Sequence, residues 1–232
     1  MGRSGSGPML RSPHTQNGDS ERAKKNSRAM ISDMQAKITV GILIFPEAEE
    51  LDFVGPLEVF GMVAEFGEPC QVVLLGETVA PIRCAHGMRV LADRTLENAL
   101  PLDLLFVPGG RGARLHARDN PKILEFVRRQ PGIVASVCTG AVVLAAAGLL
   151  DGIEATTHQA HYDLLLPYEK VKLREGVRFV MHDRIATSAG VTAGIDLALA
   201  LVQRLYGESM ADRIARNLEW NSSEVSRAER KI

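Results

Sequence analysis

From Lys37 onward, apolar positions fall into short β-branched runs that alternate with stretches of helical period. Residues 38–45 (ITVGILIF) are almost wholly apolar, the pattern of a strand buried on both faces. A loop over 46–55 follows. Residues 56–66 then set apolar side chains at helical spacing, with Pro56 in the first turn, where its missing N–H is harmless. A second strand is expected over 71–75, and residues 79–91 alternate around Gly87 like a hairpin insertion. Residues 102–107 (LDLLFV) predict another buried strand, cut off by Pro108, Gly109 and Gly110. A helix with proline at its start is expected over 121–130 and a strand over 133–137. A small-residue helix over 139–150 would close at Gly148 or Gly152. Short strands over 177–182 and 184–187 flank an Asp-Arg turn, and helices over 193–206 and 209–220 end the pattern.

Strands alternating with helices of about ten residues imply βαβ units, a mainly parallel sheet and helices on both faces. The expected class is α/β. In such sheets a site lies outside the carboxyl ends of the strands. That rule singles out three places: the 46–55 loop, the 108–111 loop and the junction at Cys138. No internal repeat is evident.

The two ends of the chain differ from this pattern. Residues 1–36 contain no aromatic residue, are rich in Ser and Gly and carry no apolar period, so a disordered tail is expected. Asp19, Glu21 and Asp33 weigh against a targeting peptide there. The α/β domain is expected over 37–221, and 222–232 as a charged, frayed end.

Composition narrows the function classes. The 232 residues are 46% hydrophobic and 24% charged, ordinary for a soluble globular protein that needs no disulfide or metal to hold its fold. A net charge of −1, from 27 Lys+Arg against 28 Asp+Glu, gives no electrostatic basis for nucleic-acid binding. The longest apolar runs, 141–150 and 198–202, fall short of the roughly 18 residues of a membrane-spanning helix. The N-terminus has no apolar core of a secretory signal. Cys70, Cys84 and Cys138 cannot all pair within one chain and none has C-x-x-C spacing, which suits a reducing cytoplasm without structural zinc.

The most informative stretch runs from Val134 to Ala141. A β-branched strand passes straight into a helix with a thiol at the joint, and Ser136 and Gly140 leave room for a sharp turn. This is the logic of a nucleophile elbow, in which tight backbone exposes one side chain at the sheet rim. A helix N-terminus would also favour thiolate at Cys138, below its usual value of about 8.5. The alternative is a small buried hydrophobe, as most free cysteines are; spacing alone leaves both open. A thiolate needs a proton partner. Glu47, Glu49, Glu50 and Asp52 lie in the first loop; the three glutamates read as solvated surface. Asp52 sits among Leu51, Phe53 and Val54, so burial would raise its pKa towards acid/base duty. Gly109 and Gly110 either present amides to a substrate or form a tight turn. His158 and His161 are further candidates to line a site, and 188–194 suits a helix start beneath the elbow.

Together these pieces resemble the ThiJ/PfpI superfamily, a relative of the class I glutamine amidotransferase fold, and within it the pattern is most like isonitrile (isocyanide) hydratases. The resemblance spans about 38–220. It rests on Phe45, Pro46 and Glu47; on Leu51 through Pro56; on Val107 through Gly110; and on Ser136 through Gly140. It continues through 146–150, through Ala155 to His158, and through Gly190 to Asp196. It implies a flavodoxin-like three-layer sandwich, usually a homodimer, acting on a small-molecule substrate without metal or organic cofactor. It assigns Cys138 as nucleophile and Asp52 as its acid, with the Gly110 and Thr139 amides facing the substrate and His158 beside it. The implied reaction converts an organic isonitrile to an N-substituted formamide. Two departures stand out. Thr139 occupies the place where protease-like relatives often carry histidine, which argues against peptidase chemistry. Gln159 stands where a hydratase would be expected to carry tryptophan. Glyoxalase-like chemistry on 2-oxoaldehydes and a ligand or redox sensor are the competing readings. Sensor halves of AraC-type regulators share most of the pattern, but 209–232 is too short for a DNA-binding helix-turn-helix with its supports.

Overall fold

The computed structural model describes residues 37–220, together with Met1. The expected tail over 1–36 and charged end over 222–232 lie outside the described residues. In chain order the sheet-forming strands are β1 (Ile38–Leu43), β2 (Cys70–Gly76), β5 (Arg94–Thr95), β6 (Leu104–Val107), β7 (Ile133–Ser136), β10 (Phe179–Met181) and β11 (Ile185–Ser188). They form one seven-stranded sheet in the order β10-β11-β7-β6-β1-β2-β5. Every pair is parallel except β10 with β11. The β-hairpin expected around Gly87 pairs β3 (Ile82–Arg83) with β4 (Arg89–Val90), and Gly87 takes a φ of 103° at its tip.

Helices α1 (Glu50–Glu65), α5 (Ala193–Tyr206) and α6 (Glu208–Asn217) pack together on one face. Helices α2 (Arg111–Leu115), α3 (Pro121–Arg128) and α4 (Gly140–Ala146) pack together on the other. The result is a three-layer α/β sandwich. The central strands are apolar on both sides because both faces are covered; Val40, Ile42, Leu104, Leu105, Phe106 and Ala135 are all fully buried. Among the described residues, no helix is long and apolar enough to cross a membrane.

Two local differences from the sequence reading have physical reasons. Helix α1 begins at Glu50, six residues before Pro56, so residues 50–55 are helical and not loop, and Pro56 lies inside the helix. Asp52, Phe53, Pro56, Val59, Phe60 and Val63 recur at helical spacing and are all buried. Burying that face outweighs the lost bond to the Asp52 carbonyl, a proline cost of about 3 kcal/mol. Helix α2 and the small parallel pair β8 (Glu154–Ala155) with β9 (Lys172–Leu173) were not expected. They are too short to carry a period, and tertiary hydrogen bonds such as Gly112 N–H to the Glu47 carbonyl at 2.9 Å hold α2 in place.

Candidate active site

The parallel register brings the carboxyl ends of β1, β6, β7 and β11 to one rim of the sheet, with Ser136 level with both Val107 and Thr187. Beyond Ser136 the chain turns through Cys138, whose φ of 54° is left-handed, a conformation that costs a non-glycine residue energy and turns its side chain off the strand line. Neighbouring backbone holds it there. The Cys138 N–H points at the carbonyls of Ser188 and Ala189, 3.2 Å from each, and the Thr157 hydroxyl donates to the Cys138 carbonyl at 2.9 Å. A Cβ at Gly140 would run into the Val107 carbonyl, so only glycine lets the helix leave this close to the strand.

Asp52, in the first turn of α1, is 0% exposed and Cys138 is 6% exposed. The Gly109 amide donates to Asp52 Oδ2 at 3.0 Å, whereas Oδ1 has no hydrogen-bond partner of ordinary geometry. The carboxyl and the thiol are close enough for each to shift the other's titration. Burial, helped by the charge of Glu49, pushes the Asp52 carboxyl up to about 8, against the Gly109 amide and the Cys138 thiol. Burial and the Asp52 charge push the Cys138 thiol up to about 12. The Thr139 amide and hydroxyl oppose that shift without overcoming it. The expectation of a thiolate favoured by a helix N-terminus is therefore corrected: α4 has only seven residues, and the sulfur loses more by leaving water than it gains from two donors.

The two remaining rim loops interlock above the sulfur. Ala48 bridges Gly110, the Glu49 amide donates to the Gly109 carbonyl at 3.1 Å, and Glu47 takes a left-handed φ of 59° to make the turn. Gly110 donates its N–H to Thr139 Oγ1 at 3.0 Å, and the Thr139 hydroxyl donates to the Gly110 carbonyl at 3.2 Å. The Gly110 amide is thus engaged by Thr139, while the Thr139 amide faces the sulfur.

These loops enclose a cavity of about 310 Å³ whose lining includes Cys138, Thr139, Gly110 and His158. Asp52 lies behind it, out of contact with solvent. Of Cys138, Asp52, Gly110, Thr139 and His158, four thus share one cavity, and Asp52 adjoins its thiol. The His158 ring fills the space beside Gly190, where any Cβ would overlap it, and its Nδ1 accepts from the Ala160 amide at 3.1 Å. His161 also reaches the cavity, its ring centroid 5.5 Å from that of His158.

Of the three glutamates expected at the surface, Glu47 is exposed, while Glu49 and Glu50 are half-buried. Glu47 and Glu49 line the cavity, Glu47 pairing with Arg111 at 3.4 Å. Glu50 accepts from the His86 amide at 2.8 Å and lies 3.0 Å from His86 Nδ1. These carboxylates hold the exposed His86 imidazole above its usual range. Glu49, Glu50 and His86 bring possible metal-ligand atoms within 4.8 Å of one another, but the Glu50–His86 hydrogen bonds already account for that grouping. Sequence reasoning missed His86 and Arg114 as cavity residues, and placed Arg111 only within the 108–111 loop, without a role. The rim rule of parallel sheets picked out the loop that carries Arg111, directly after the two glycines; Arg114 lies three residues beyond it.

The chain matches the DJ-1/PfpI family model over residues 38–204. It is 37% identical over 186 residues to the isonitrile hydratase of Pseudomonas putida, covering 79% of this chain and 78% of that protein. It is 30% identical over 197 residues to the glutathione-independent glyoxalase DJR-1.2 of Caenorhabditis elegans, covering 80% of this chain and 98% of that one. Among solved structures, a ThiJ/PfpI family protein from Pseudomonas syringae superposes with a TM-score of 0.74 at 26% identity, over 90% of this chain and 83% of the other. With the sheet order, the elbow and most of the chain's length all in agreement, this protein belongs to the DJ-1/PfpI family.

Proposed function

We propose that the protein is a cysteine-dependent hydratase that adds water to the terminal carbon of a small organic isonitrile and releases an N-substituted formamide. The observation that carries this reading is the buried Cys138–Asp52 pair at the base of a cavity of about 310 Å³, which has room for a small molecule. The 37% identity to an isonitrile hydratase supports the same reaction.

An isonitrile carbon takes up a nucleophile and a proton at the same atom, which suits a thiol and an adjoining carboxylate. Asp52 accepts the S–H proton as Cys138 Sγ bonds to the carbon, then delivers it to that carbon, leaving a thioimidate, R–N=CH–S–Cys138. Water adds to the thioimidate carbon and one of its protons goes to nitrogen. The C–S bond then breaks, the formamide R–NH–CHO leaves, and the remaining proton returns through Asp52 to sulfur. Every proton is accounted for, and no metal or organic cofactor is required. A thiol held near a pKa of about 12 does not hinder this route, because the carboxylate removes its proton only as the bond forms.

Incubation with cyclohexyl isonitrile, following formamide by mass spectrometry, tests the reading. Formamide that disappears in Cys138→Ala is the expected result. Absence of formamide rejects the reading, and turnover that survives Cys138→Ala rejects the mechanism. A second reading, conversion of 2-oxoaldehydes by the same pair, is favoured by the glyoxalase relative and by His158 in the cavity; turnover of methylglyoxal without glutathione would select it. The raised thiol pKa counts against a peroxide sensor, since the thiolate is the form that peroxide oxidises. The proposal includes a homodimer and a cytoplasmic setting, the latter supported by three free, buried cysteines.

A further inference from the structure

Around the cavity the carboxylates of Glu47, Glu49 and Glu50 balance Arg111, Arg114 and His86 in number, but they are not paired one to one. Arg111 is paired with Glu47 at 3.4 Å, and His86 lies 3.4 Å from Glu49 and 3.0 Å from Glu50. Cys138, at the base, is held as a neutral thiol. Arg114, on α2, lines the same cavity and is half-buried, yet among the described residues no carboxylate pairs with it. Its one side-chain hydrogen bond runs from Nη1 to His161 Nε2 at 2.9 Å. Arginine only donates, so that nitrogen must be the acceptor and His161 a neutral imidazole with its proton on Nδ1. Burial, with the charges of Arg114 and His158, holds His161 below its usual range and keeps it in that form. His161 therefore steers the guanidinium without neutralising it. The cavity that exposes the thiol also holds a guanidinium that no carboxylate contacts, with four N–H donors to spare.

We infer that Arg114 is a specificity-determining residue that binds a carboxylate on the substrate, so that the preferred substrates are small molecules carrying both the electrophilic carbon and a carboxylate. This rests on the hydratase reading for the identity of the carbon, which becomes that of an isocyano-carboxylate. A planar guanidinium fork suits a carboxylate, and a cation stripped of much of its water gains more from one than an exposed cation does. The anion would fix the ligand at the wall and leave its far end to meet Cys138, converting a charge contact into orientation of the reacting carbon. The neutral His161 adds a second polar group to that wall. Glu47 and Glu49 line the same cavity, but Glu47 faces Arg111 and Glu49 shares His86 with Glu50, so both repel an incoming anion less than free carboxylates would.

Isocyanoacetate and its methyl ester differ in that charge and one methyl group and make the comparison. In the wild-type protein kcat/KM should favour the acid over the ester. In Arg114→Gln the acid-to-ester ratio should fall about tenfold or more, the worth of one charge-assisted hydrogen bond, and Arg114→Lys should recover part of it. An acid-to-ester ratio at or below one in the wild type, or a ratio unchanged by Arg114→Gln, overturns the inference while leaving the hydratase standing. If neither isonitrile is turned over, the hydratase reading fails and the charge is still read at the sulfur. Cys138 is alkylated with iodoacetate and with iodoacetamide, the modified peptide is quantified, and free glutathione serves as reference. The iodoacetate-to-iodoacetamide rate ratio at Cys138 should exceed that of glutathione and drop about tenfold in Arg114→Gln. A Cys138 ratio equal to that of glutathione, insensitive to residue 114, refutes an anion site in any chemistry.

Discussion

Gly109 and Asp52 are locked together: the Gly109 amide donates to Asp52 Oδ2 at 3.0 Å, and a Cβ at position 109 would lie 2.9 Å from that oxygen. The same Cβ would lie 2.5 Å from the Thr139 nitrogen, which is backbone and cannot swing aside. The loop cannot retreat either, because the Gly109 carbonyl accepts from the Glu49 amide at 3.1 Å. Gly109→Ala must therefore push the acid, the elbow and the loop apart. A stability loss of roughly 1–3 kcal/mol is expected from overpacking, and a loss of activity on the order of 10²-fold from a displacement of about 1 Å at the reacting groups. Gly61→Ala is the control. It lies in α1 with nothing within 4 Å of its Cβ position, and should add about 0.5–1 kcal/mol of stability. Denaturant melts of both variants, with formamide assays, check the contrast.

Asp52 destabilises the fold it serves. Its carboxyl is raised from the usual 3.8 to about 8 because burial penalises the charge. A folded state that holds its proton more tightly than the unfolded chain has that advantage in full below the unfolded value, and loses it as pH climbs through the folded value. Asp52→Asn keeps the shape and removes the titration. The variant should match the wild type in stability below about pH 4, gain on it by up to about 1.4 kcal/mol per pH unit above that, and level off beyond about pH 8. Urea melts across that range measure it. A stability difference that does not change with pH would show that the carboxyl stays ionised in the fold.

The order of strands and helices was legible because both sheet faces are covered, which leaves β-branched runs such as 38–45 and 102–107 standing out between helical stretches. The burial of Asp52 was legible from Leu51, Phe53 and Val54 around it. Its place in a helix was not, since Pro56 suggested a start that tertiary burial of Phe53 and Phe60 moved six residues earlier. The tight turn at Cys138 could be read from Ser136 and Gly140; the protonation of its sulfur could not, because solvent exposure and the proximity of Asp52 depend on three loops meeting. The same limit hid Arg114, whose significance lies in the lack of a partner carboxylate and not in its neighbours along the chain.

Cys138 pays for its position with a left-handed φ of 54°. In that region a β-carbon costs roughly 1–2 kcal/mol, and glycine escapes the penalty. Two inactive variants separate strain from chemistry. Cys138→Gly should be more stable than Cys138→Ala by roughly 1 kcal/mol, the reverse of the order in an ordinary helix or strand. Thermal melts of the two proteins decide it. Alanine as the more stable residue would mean that the elbow is held without strain.

The proton route fixes the shape of the pH–rate profile. Asp52 can take the thiol proton only as a carboxylate, and its carboxyl titrates at about 8, while the thiol itself ionises only at about 12. Under conditions where addition limits the rate, kcat/KM for a neutral isonitrile should rise tenfold per pH unit below about pH 8 and flatten above it. Alkylation of Cys138 by iodoacetamide should follow the same curve. In Asp52→Asn the acceptor is gone, so the inflection near 8 should vanish and both rates should fall, leaving only a rise towards the pKa of the thiol. The thiol in that variant also sheds the repulsion of a neighbouring carboxylate, so its own ionisation should move to lower pH than in the wild type. A wild-type profile that is flat from pH 6 to pH 9 would instead mean that either the carboxyl or the sulfur is already ionised at rest. A profile equally flat and undiminished in Asp52→Asn would assign it to the sulfur and remove Asp52 from the addition.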